Sequence, residues 1–406
     1  MSTESPSTLP TSTASAAEHI NAKTSPARSP LPIALLLSGV GFITLLTEVL
    51  PAGVLPALAS DLGVSASVAG QSVAVFALGC IAAAIPLTRA TARLDRRTLI
   101  LVAIAVSALA NLGTAFAPEI WSHLATRFVA GLVAGLVWAM LPGYTRGFTP
   151  ARRFGATLGI VLSGATFAFA VGVPIGTLLS EVIGWRAVFA VIAGCSVILW
   201  AVAAVIAPRV QRPQATSGSS IGAALRIPAV LVVLAAVAAC IIAQNMAYTY
   251  LAPVLDDRGV TVPLSVVLAA FGLSSVVGTL GAGRLADRKL GTTVIVELCI
   301  GAAGLLVFFL TAWVPVLLIA AATWGLAFGG YSVLFQVAIG RVGGDAADAA
   351  QSALVTVWNI SIALGGGVGG IVLAVWGPGA LVPAAAVLTA LAIPLGVSIA
   401  ASARKV

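Results

Sequence analysis

The chain has 406 residues, of which 60% are hydrophobic and 8% are charged, and its formal net charge is +8. An ordinary soluble domain has about 45–50% apolar and about 25% charged residues, so this composition excludes a water-soluble fold. It leaves room for about a dozen apolar helices of roughly 20 residues that cross a membrane. The apolar runs are continuous, which favours helices over the alternating strands of a membrane barrel.

The chain begins with a segment at 1–30 that is rich in Ser, Thr, Ala and Pro. We predict a disordered cytoplasmic tail there, because the segment is too polar to form an apolar core. It also lacks the basic stretch followed by an apolar stretch that a cleaved signal peptide has. An N-terminal half of six helices is predicted over 31–208, a cytoplasmic linker over 209–227 and a C-terminal half of six helices over 228–402. The spans are expected near 32–54, 67–88, 98–117, 120–145, 156–178, 187–207, 228–252, 263–284, 292–312, 315–339, 350–373 and 380–401.

The basic residues lie between the predicted spans, and almost all of them fall in the loops on one side. The loops on the other side carry Arg186 and Arg258. The positive-inside rule therefore predicts a multi-pass protein of a bacterial inner membrane with both termini in the cytoplasm. Charge distributed in this way indicates a lipid bilayer as the partner and no nucleic acid.

The sequence predicts no enzyme, no cofactor and no metal site. The lysines, Lys23, Lys289 and Lys405, do not end a Gly-x-x-x-x-Gly-Lys phosphate loop, and no His, Cys and carboxylate cluster has metal-ligand spacing. The four cysteines fall in apolar runs, where we expect reduced, packed thiols. A transporter with these features would take its energy from an ion gradient.

The two halves resemble each other in sequence. Segment 62–65 after the first span, Leu-Gly-Val-Ser, matches segment 258–261 after the seventh span, Arg-Gly-Val-Thr. Duplication explains both the shift of about 195 residues and the shared topology, whereas chance similarity among Gly-rich helices is the alternative. Two glycines of span five match two of span eleven at nearly the same shift: Gly172, Gly176, Gly366 and Gly370.

The loop between spans eight and nine reads Gly-Arg-Leu-Ala-Asp-Arg from Gly283 to Arg288, with Asp287 before the last residue. This pattern resembles the inner-loop signature of the major facilitator superfamily, Gly-x-x-x-Asp-Arg. The loop between spans two and three has Thr88 and Ala92 where the family often has Gly and Asp. It keeps the basic residues of the pattern, Arg93, Arg96 and Arg97.

Further motifs narrow this resemblance. Arg127, followed by Gly131 and Gly135, is similar to the Arg-bearing motif of the proton-coupled members. The run Gly-Val-Pro-Ile-Gly in span five resembles the antiporter motif of drug exporters through Gly172, Pro174 and Gly176. Three segments resemble the twelve-helix drug:proton antiporter family, in the branch of sugar-efflux, purine-ribonucleoside-efflux and chloramphenicol-efflux proteins: 47–53, 68–72 and 184–189.

The resemblance implies the major facilitator fold, an all-α membrane protein in which two pseudo-symmetric six-helix halves give alternating access to a cavity lined by spans 1, 4, 7 and 10. It implies a monomeric, proton-coupled exporter of a small organic molecule such as chloramphenicol, a sugar or a nucleoside. It also implies conformational roles for the loop and span-five residues of the motifs. A proton-coupled or facilitative importer is the alternative within transport, and a non-transporting membrane sensor or scaffold is the alternative outside it.

Two charged residues lie well inside predicted spans, where a charge costs several kcal/mol unless it faces a cavity or a partner. Glu48 of span one and Arg127 of span four each lie roughly 9 Å below the outer end of their span, at 1.5 Å per residue. We predict that Glu48 takes up a proton from outside and that Arg127 tunes it, since a nearby cation lowers a carboxylate's proton affinity while burial raises it. The alternative is a permanent buried ion pair that only joins the two helices.

Polar and aromatic side chains on the four cavity helices predict the substrate cavity. The half-chain alignment, shifted by one residue, pairs Glu48 with Gln244, and Tyr248 lies one turn later on the same face. Aromatic walls with few donors suit a moderately apolar, uncharged ligand, although such side chains can also simply bridge helices in lipid. The predicted cavity residues are Thr44, Trp138, Gln244, Asn245, Tyr248, Trp324, Tyr331 and Gln336.

Two other ionisable residues are expected at the membrane surface. Glu297 lies only about five residues into span nine, so its side chain can extend to the cytoplasm. His123 lies near the outer mouth, where we expect an exposed interfacial histidine.

Overall fold

The computed structural model describes residues 30–83, 95–210 and 221–403. The regular secondary structure in these ranges is helical, which confirms the all-α prediction. The predicted tail, apart from residue 30, and most of the predicted linker lie outside these ranges. The helices are α1 (Leu31–Gly53), α2 (Leu55–Asp61), α3 (Ala66–Ala82), α4 (Arg96–Phe116), α5 (Ile120–Phe148), α6 (Phe154–Phe167), α7 (Val173–Ile183), α8 (Trp185–Ile206), α9 (Ile221–Ala224), α10 (Pro228–Thr249), α11 (Leu251–Asp257), α12 (Leu264–Ala286), α13 (Lys289–Leu310), α14 (Val314–Gly343), α15 (Ala347–Trp376) and α16 (Leu381–Ala403).

Ten stretches of the described chain are long and apolar enough to cross a membrane. One of them, Val314–Trp376, contains both α14 and α15, which a 3-10 turn at Gly344–Ala346 separates. Helices α2 and α3 form a further apolar pair, bent by 113°, and the predicted span 67–88 is described as far as residue 83. The helices follow the order of the twelve predicted spans, with ends that differ by a few residues.

Polar residues at the breaks between apolar runs set where helices begin. The hydroxyl of Ser65 accepts a hydrogen bond from the N–H of Val68 at 3.3 Å and caps the start of α3. The carboxylate of Asp95 accepts from the N–H of Thr98 at 3.2 Å and caps α4. Such caps satisfy backbone donors that the first turn of a helix leaves unpaired.

The turns after α2 and α11 have the same conformation. Gly63 has a φ of 63° and Gly259 a φ of 61°, left-handed values that glycine adopts readily because it has no Cβ. In both turns the N–H after the glycine donates, at 3.0 Å, to the carbonyl five residues earlier, which closes the end of the helix. The matching segments 62–65 and 258–261 therefore share their backbone fold.

Hydrogen bonds gather the loops of each half at one end of the bundle. Arg186 donates to the carboxylate of Asp61 at 2.7 Å and to the carbonyl of Ala117 at 2.7 Å, which joins three loops of the N-terminal half. In the C-terminal half Arg258 donates to the carbonyl of Thr311. We call this end of the bundle the distal end, and the opposite end, where α1 begins, the proximal end.

The two halves contact each other mainly through α3 against α15 and through α7 and the turn before it against α12. Near the distal end the hydroxyl of Ser67 donates to the carbonyl of Gly370 at 2.7 Å across this contact. One cluster of buried apolar side chains there includes both Leu50 and Phe271, which belong to different halves. The distal end is therefore closed.

At the proximal end the halves have separate apolar cores. The N-terminal core there surrounds Leu141 and contains side chains of its own half, whereas the C-terminal core surrounds Ile339 and takes in α3 only at Val73 and Ala77. The two halves therefore share an apolar core at the distal end only, which leaves space between them towards the proximal end.

Candidate functional site

A cavity of about 200 Å³ lies between the two halves. Its N-terminal wall comes from α1, α6 and a π-helical turn at Ala168–Gly172, and its C-terminal wall from α10, α12, α14 and α15. Helix α5, which the family pattern places at the cavity, contributes no lining residue in this state. The polar members of the lining are Glu48, Thr166, Gln244, Asn245, Tyr248, Ser275, Thr279 and Ser332.

Glu48 is the charged residue of this lining. It lies in α1, is only 7% exposed, and shares its helix face with Leu45 and Val49. Among the described residues its carboxylate makes no ion pair. A carboxylate that faces a cavity can exchange a proton or a hydrogen bond with whatever occupies that cavity.

Arg127 lies in α5 and is completely buried. Its Nη2 group donates to two backbone carbonyls of α1, that of Thr47 at 2.6 Å and that of Glu48 at 3.3 Å. Its guanidinium also lies over the rings of Phe76 and Phe189, 4.8 and 5.9 Å from their centroids, where the aromatic faces attract a cation. The guanidinium therefore binds the backbone of α1, and the side-chain ion pair considered for the two residues is not formed in this structure.

Pro51 explains why the carbonyl of Thr47 is free to accept this bond. Proline has no N–H, so the carbonyl four residues before it loses its partner within the helix. Pro51 lies inside α1, and Thr47 is that residue. The sequence Thr-Glu-Val-Leu-Pro thus places an acceptor for a cation beside the carboxylate-bearing residue Glu48.

We expect the substitution Pro51→Ala to lower transport at least about tenfold without lowering thermal stability. The new N–H would compete with Arg127 for the carbonyl of Thr47, while removal of an internal proline gains up to about 3 kcal/mol and loss of a charged hydrogen bond costs about 1.5–3 kcal/mol. Pro394→Ala is the matched control, because Pro394 also lies inside a helix, α16. Transport rates and melting temperatures of the purified variants would check this, and wild-type transport in Pro51→Ala would contradict it.

The C-terminal wall presents two polar atoms that have no partner. The Oε1 atom of Gln244 and the hydroxyl of Tyr248 are buried and make no hydrogen bond within the described chain. Both residues are only 4% exposed and both line the cavity. Buried polar atoms are normally paired, so unpaired atoms at a cavity wall mark positions for a ligand or water.

Aromatic rings close the distal side of the cavity. The ring centroid of Phe169 lies 5.9 Å from that of Tyr248 and 5.3 Å from that of Phe328, in edge-to-face contacts between the halves. Phe169 lies in the π turn, which directly precedes α7 and its Pro174. Because Pro174 has no N–H to donate, the regular hydrogen-bond pattern of the α-helix is interrupted there. Single π turns inside α-helices are frequent at functional sites.

The structure brings Glu48, Gln244, Asn245 and Tyr248 to one cavity and places other predicted members elsewhere. The hydroxyl of Thr44 donates to the carbonyl of Val40 at 2.8 Å, and Thr44 borders a separate small void inside the N-terminal half.

Two predicted tryptophans also lie away from the lining. Trp138 packs beside Gly41 within the N-terminal half, and Trp324 lies behind Tyr248 at 6.3 Å between ring centroids.

Two other predicted members in α14, Tyr331 and Gln336, do not line the cavity in this state. Successive residues on a helix turn by about 100°, and the face of α14 towards the cavity carries Phe328, Gly329 and Ser332. Tyr331 faces α13 instead. Gln336 is one turn after Ser332 on the same face, but it lies beyond the lining, is exposed and donates to the carbonyl of Ser332 at 2.7 Å.

Sequence reasoning missed three aromatic residues of the lining, Phe169, Phe328 and Trp358. Each lies in an apolar run, where an aromatic residue is indistinguishable from one that faces lipid. A signal was available in α12, where Ser275 and Thr279 are one turn apart and share a face, as polar residues at a cavity do.

The predictions for His123 and Glu297 were both wrong. His123 is completely buried, with its Nε2 atom 3.0 Å from the hydroxyl of Ser72 and its ring 5.8 Å from that of Trp185. Glu297 is only 7% exposed and its carboxyl group lies against α14. Distance from a helix end predicts depth in the membrane, but it does not predict whether neighbouring helices cover the side chain.

The span-five motif residues pack α7 closely against α1. A Cβ atom at Gly176 would lie 2.8 Å from the side chain of Leu50, and one at Gly172 would lie 2.9 Å from that of Phe42. Pro174 lies directly after the π turn, where its missing N–H accompanies the change in the hydrogen-bond pattern of the helix. Close packing fits these residues, and their conformational role stays a prediction.

The loop motif residues lie at the proximal end or outside the described residues. Arg97 donates to the carbonyl of Ala204, and Arg96 begins α4. Gly283 is exposed near the end of α12, before a break in helical geometry at Lys289. The side chains of Asp287 and Arg288 and all of Arg93 lie outside the described part of the chain.

Comparison with known proteins identifies relatives along most of the chain. It is 31% identical over 366 residues to the purine ribonucleoside efflux pump NepI of Salmonella paratyphi C, across 87% of this chain and 90% of that protein. It is 26% identical over 344 residues to the transcription regulatory protein OpdE of Pseudomonas aeruginosa, across 83% and 86% of the two chains.

The fold is also similar to that of a solved structure. A bacterial homolog of the human lysosomal transporter Spinster, in an inward-facing and unoccupied conformation, superposes with a TM-score of 0.69 at 15% identity and covers 93% of this chain and 95% of its own. This likeness confirms the predicted fold. The membrane-length helices and the efflux-pump relatives together indicate a multi-pass inner-membrane protein. The sequence pattern of the Major Facilitator Superfamily matches residues 37–366. The chain therefore belongs to the Major Facilitator Superfamily.

Proposed function

We propose that this protein exports a small organic molecule in exchange for protons, by alternating access between its two halves. The observation that carries the proposal is the position of Glu48. Its carboxylate, without an ion pair in the described chain, lines a cavity between the halves and is faced by the unpaired polar atoms of Gln244 and Tyr248. This arrangement can bind either a proton or a polar ligand.

In this proposal the protein is a monomer in the lipid bilayer, its distal end faces the outside, and both termini are cytoplasmic. The arginines at the proximal end support this orientation by the positive-inside rule. They include Arg96, Arg97, Arg146, Arg284 and Arg341. The closed distal end then makes this an inward-facing state, in which the cavity loads substrate from the cytoplasm.

The exchange follows from competition at one carboxylate. The ionised Glu48 accepts hydrogen bonds from a substrate hydroxyl or N–H group while the cavity faces the cytoplasm. When the halves rock and open the distal end, a proton from outside neutralises the carboxylate and weakens its bond to the substrate, which leaves. Arg127 is bonded to the backbone of α1, so it moves with Glu48 and its charge acts on the carboxylate in every state.

The lining favours a planar, uncharged ligand with hydroxyl or amide groups. Phe169, Phe328 and Trp358 offer ring faces and edges, while Gln244 and Asn245 offer donors and acceptors. The name of the relatives, purine ribonucleoside efflux pump, supports purine nucleosides as the first class to test. Chloramphenicol-like drugs and pentoses share the mixture of apolar and hydroxyl groups and are the next.

The test is the loss of an imposed pH gradient in everted membrane vesicles that contain the protein, with inosine, chloramphenicol and xylose added in turn. We expect dissipation with one class and no dissipation in vesicles that lack the protein. Substrate movement in the opposite direction would favour a proton-coupled or facilitative importer. Failure of every class to bind or move would contradict the proposal and favour a membrane sensor.

Substitution Gln244→Leu is expected to change ligand affinity and stability in opposite directions. Removing an unpaired buried oxygen should stabilise the ligand-free protein by about 1–2 kcal/mol, whereas losing one hydrogen bond to the ligand should weaken binding about tenfold. Gln336→Leu is the matched control, because Gln336 is exposed and outside the lining. Melting temperature and ligand titration would measure both effects, and a lower melting temperature with unchanged affinity would contradict the assignment of Gln244.

A further inference from the structure

A second buried carboxyl group lies in the C-terminal half, away from the cavity. Glu297 of α13 is 7% exposed, and its carboxyl group packs against the backbone of Gly330 in α14. A Cβ atom at Gly330 would lie 2.8 Å from the carboxyl carbon and 2.9 and 3.1 Å from its two oxygens. The glycine therefore provides the space that this carboxyl group occupies.

The surroundings of Glu297 contain little that could balance a negative charge. Its Oε2 atom is buried without a hydrogen-bond partner, and the described chain contains no ion pair to it. Tyr331 of α14 donates to the backbone carbonyl of Glu297 at 3.4 Å, and the thiols of Cys240 in α10 and Cys299 in α13 lie near Tyr331. Helix α16 approaches this part of α13 at Gly396, against apolar side chains.

These groups are neutral, so an ionised carboxylate here would be desolvated without compensation. A protonated carboxyl group avoids that cost, because it carries no charge and has its own O–H donor. Burial, the unpaired oxygen and the apolar neighbours thus all favour a bound proton.

Helix α14 connects this group to the transport cavity. Within one turn, Phe328, Gly329 and Ser332 face the cavity, whereas Gly330 and Tyr331 face Glu297. The carbonyl of Gly329 also accepts a hydrogen bond from Thr279 of the cavity lining at 3.1 Å. A shift of this turn caused by cavity occupancy would change the packing of Gly330 against the carboxyl group.

We propose that Glu297 is a second proton-binding site, which holds a proton behind the cavity wall in the distally closed state and ionises when α14 moves away from α13. The ligand is the proton itself. This site is separate from Glu48, and proton binding there does not depend on which substrate the protein transports.

Infrared spectroscopy of the purified full chain in liposomes tests the bound proton directly, since a protonated carboxyl group has its own carbonyl band that shifts in D2O. In Glu48→Gln protein at neutral pH we expect this band to persist, and the further change Glu297→Gln should remove it. The matched control is Glu48→Gln with Glu181→Gln, because Glu181 is exposed and its loss should leave the band intact. Absence of the band in Glu48→Gln, or its survival after Glu297→Gln, would overturn the proposal.

Two further measurements test the proposal in case Glu297→Gln does not fold. The first keeps the carboxyl group, and the second tests its link to transport. Gly330→Ala presses a methyl group against the carboxyl, so the same band should change frequency, and an unchanged band would overturn the placement of the proton. In transport assays Glu297→Gln should bind substrate within about twofold of wild type while its rate depends less steeply on pH. An unchanged pH profile would overturn the coupling to α14.

Discussion

Protein carrying Glu48→Gln is expected to lose pH-driven transport by more than about 100-fold, because an amide matches the shape of a carboxyl group but does not release a proton in this range. Binding should survive, since Gln keeps an acceptor and a donor at the cavity wall. Exchange of labelled for unlabelled substrate across proteoliposomes, which needs no net proton movement, should continue at a measurable rate. The measurement is uptake with and without an imposed pH gradient.

Glu181→Gln serves as the control for this experiment, because it removes a carboxylate that is exposed near the distal end. We expect it to transport as wild type does. Uptake by Glu48→Gln that still responds fully to the pH gradient would remove Glu48 from the coupling step and leave the fold assignment intact.

Gly131→Ala is expected to destabilise the protein by about 1–3 kcal/mol or more, the range found for overpacked cores. Helices α3 and α5 cross at this residue, and a Cβ atom there would overlap the carbonyl oxygen of Phe76 and lie 3.1 Å from the Cα of Gly79. Both obstacles are backbone atoms, so the helices must separate. Arg127 lies one turn earlier on the same face of α5, and its bond to Thr47 should weaken as α5 moves.

Gly143→Ala is the matched control in the same helix. A Cβ atom at Gly143 would meet no atom of the described residues within 4 Å, so the substitution should stabilise α5 by about 0.5–1 kcal/mol through the better helix propensity of alanine. Melting temperatures in detergent and transport rates would compare the two. Equal melting temperatures for the two variants would contradict the close crossing of α3 and α5.

The order of helices and the position of Glu48 could be predicted from the sequence, because both depend on the free-energy cost of placing polar or charged groups inside the membrane. A charge inside an apolar run is expensive, so it has to face a cavity or a partner. Alignment of the two halves then led to Gln244 and Tyr248, which do face Glu48 across the cavity. The same cost argument applied to Arg127 correctly predicted burial, but not its backbone acceptor, which depends on Pro51.

The rotation of apolar helices could not be predicted in the same way. In a soluble protein the polar face of a helix shows which side is buried, but a membrane helix is apolar all round. Tyr331 was therefore placed at the cavity in error, and Phe328 was missed. Phe169 was missed for a second reason, because a π turn alters the helix face on which it lies.

The sequence also did not show which polar side chains are covered by neighbouring helices. His123 lies three residues after the start of α5, and Glu297 lies eight residues after the start of α13. Their neighbours across the bundle, Ser72 and Trp185 for the histidine and Gly330 for the carboxyl group, come from distant parts of the sequence. No local pattern connects residues that are so far apart along the chain.

The attachment of Arg127 to the backbone of α1 has an electrical consequence. In the proposed exchange the pair of residues has no net charge when Glu48 is ionised, and it would carry one positive charge through the membrane when Glu48 is protonated. Exchange of an uncharged substrate for one proton at Glu48 would therefore be electrogenic. A membrane potential of 100 mV, negative inside, adds about 2.3 kcal/mol per cycle to the driving force, so export would continue in a cell whose internal and external pH are equal.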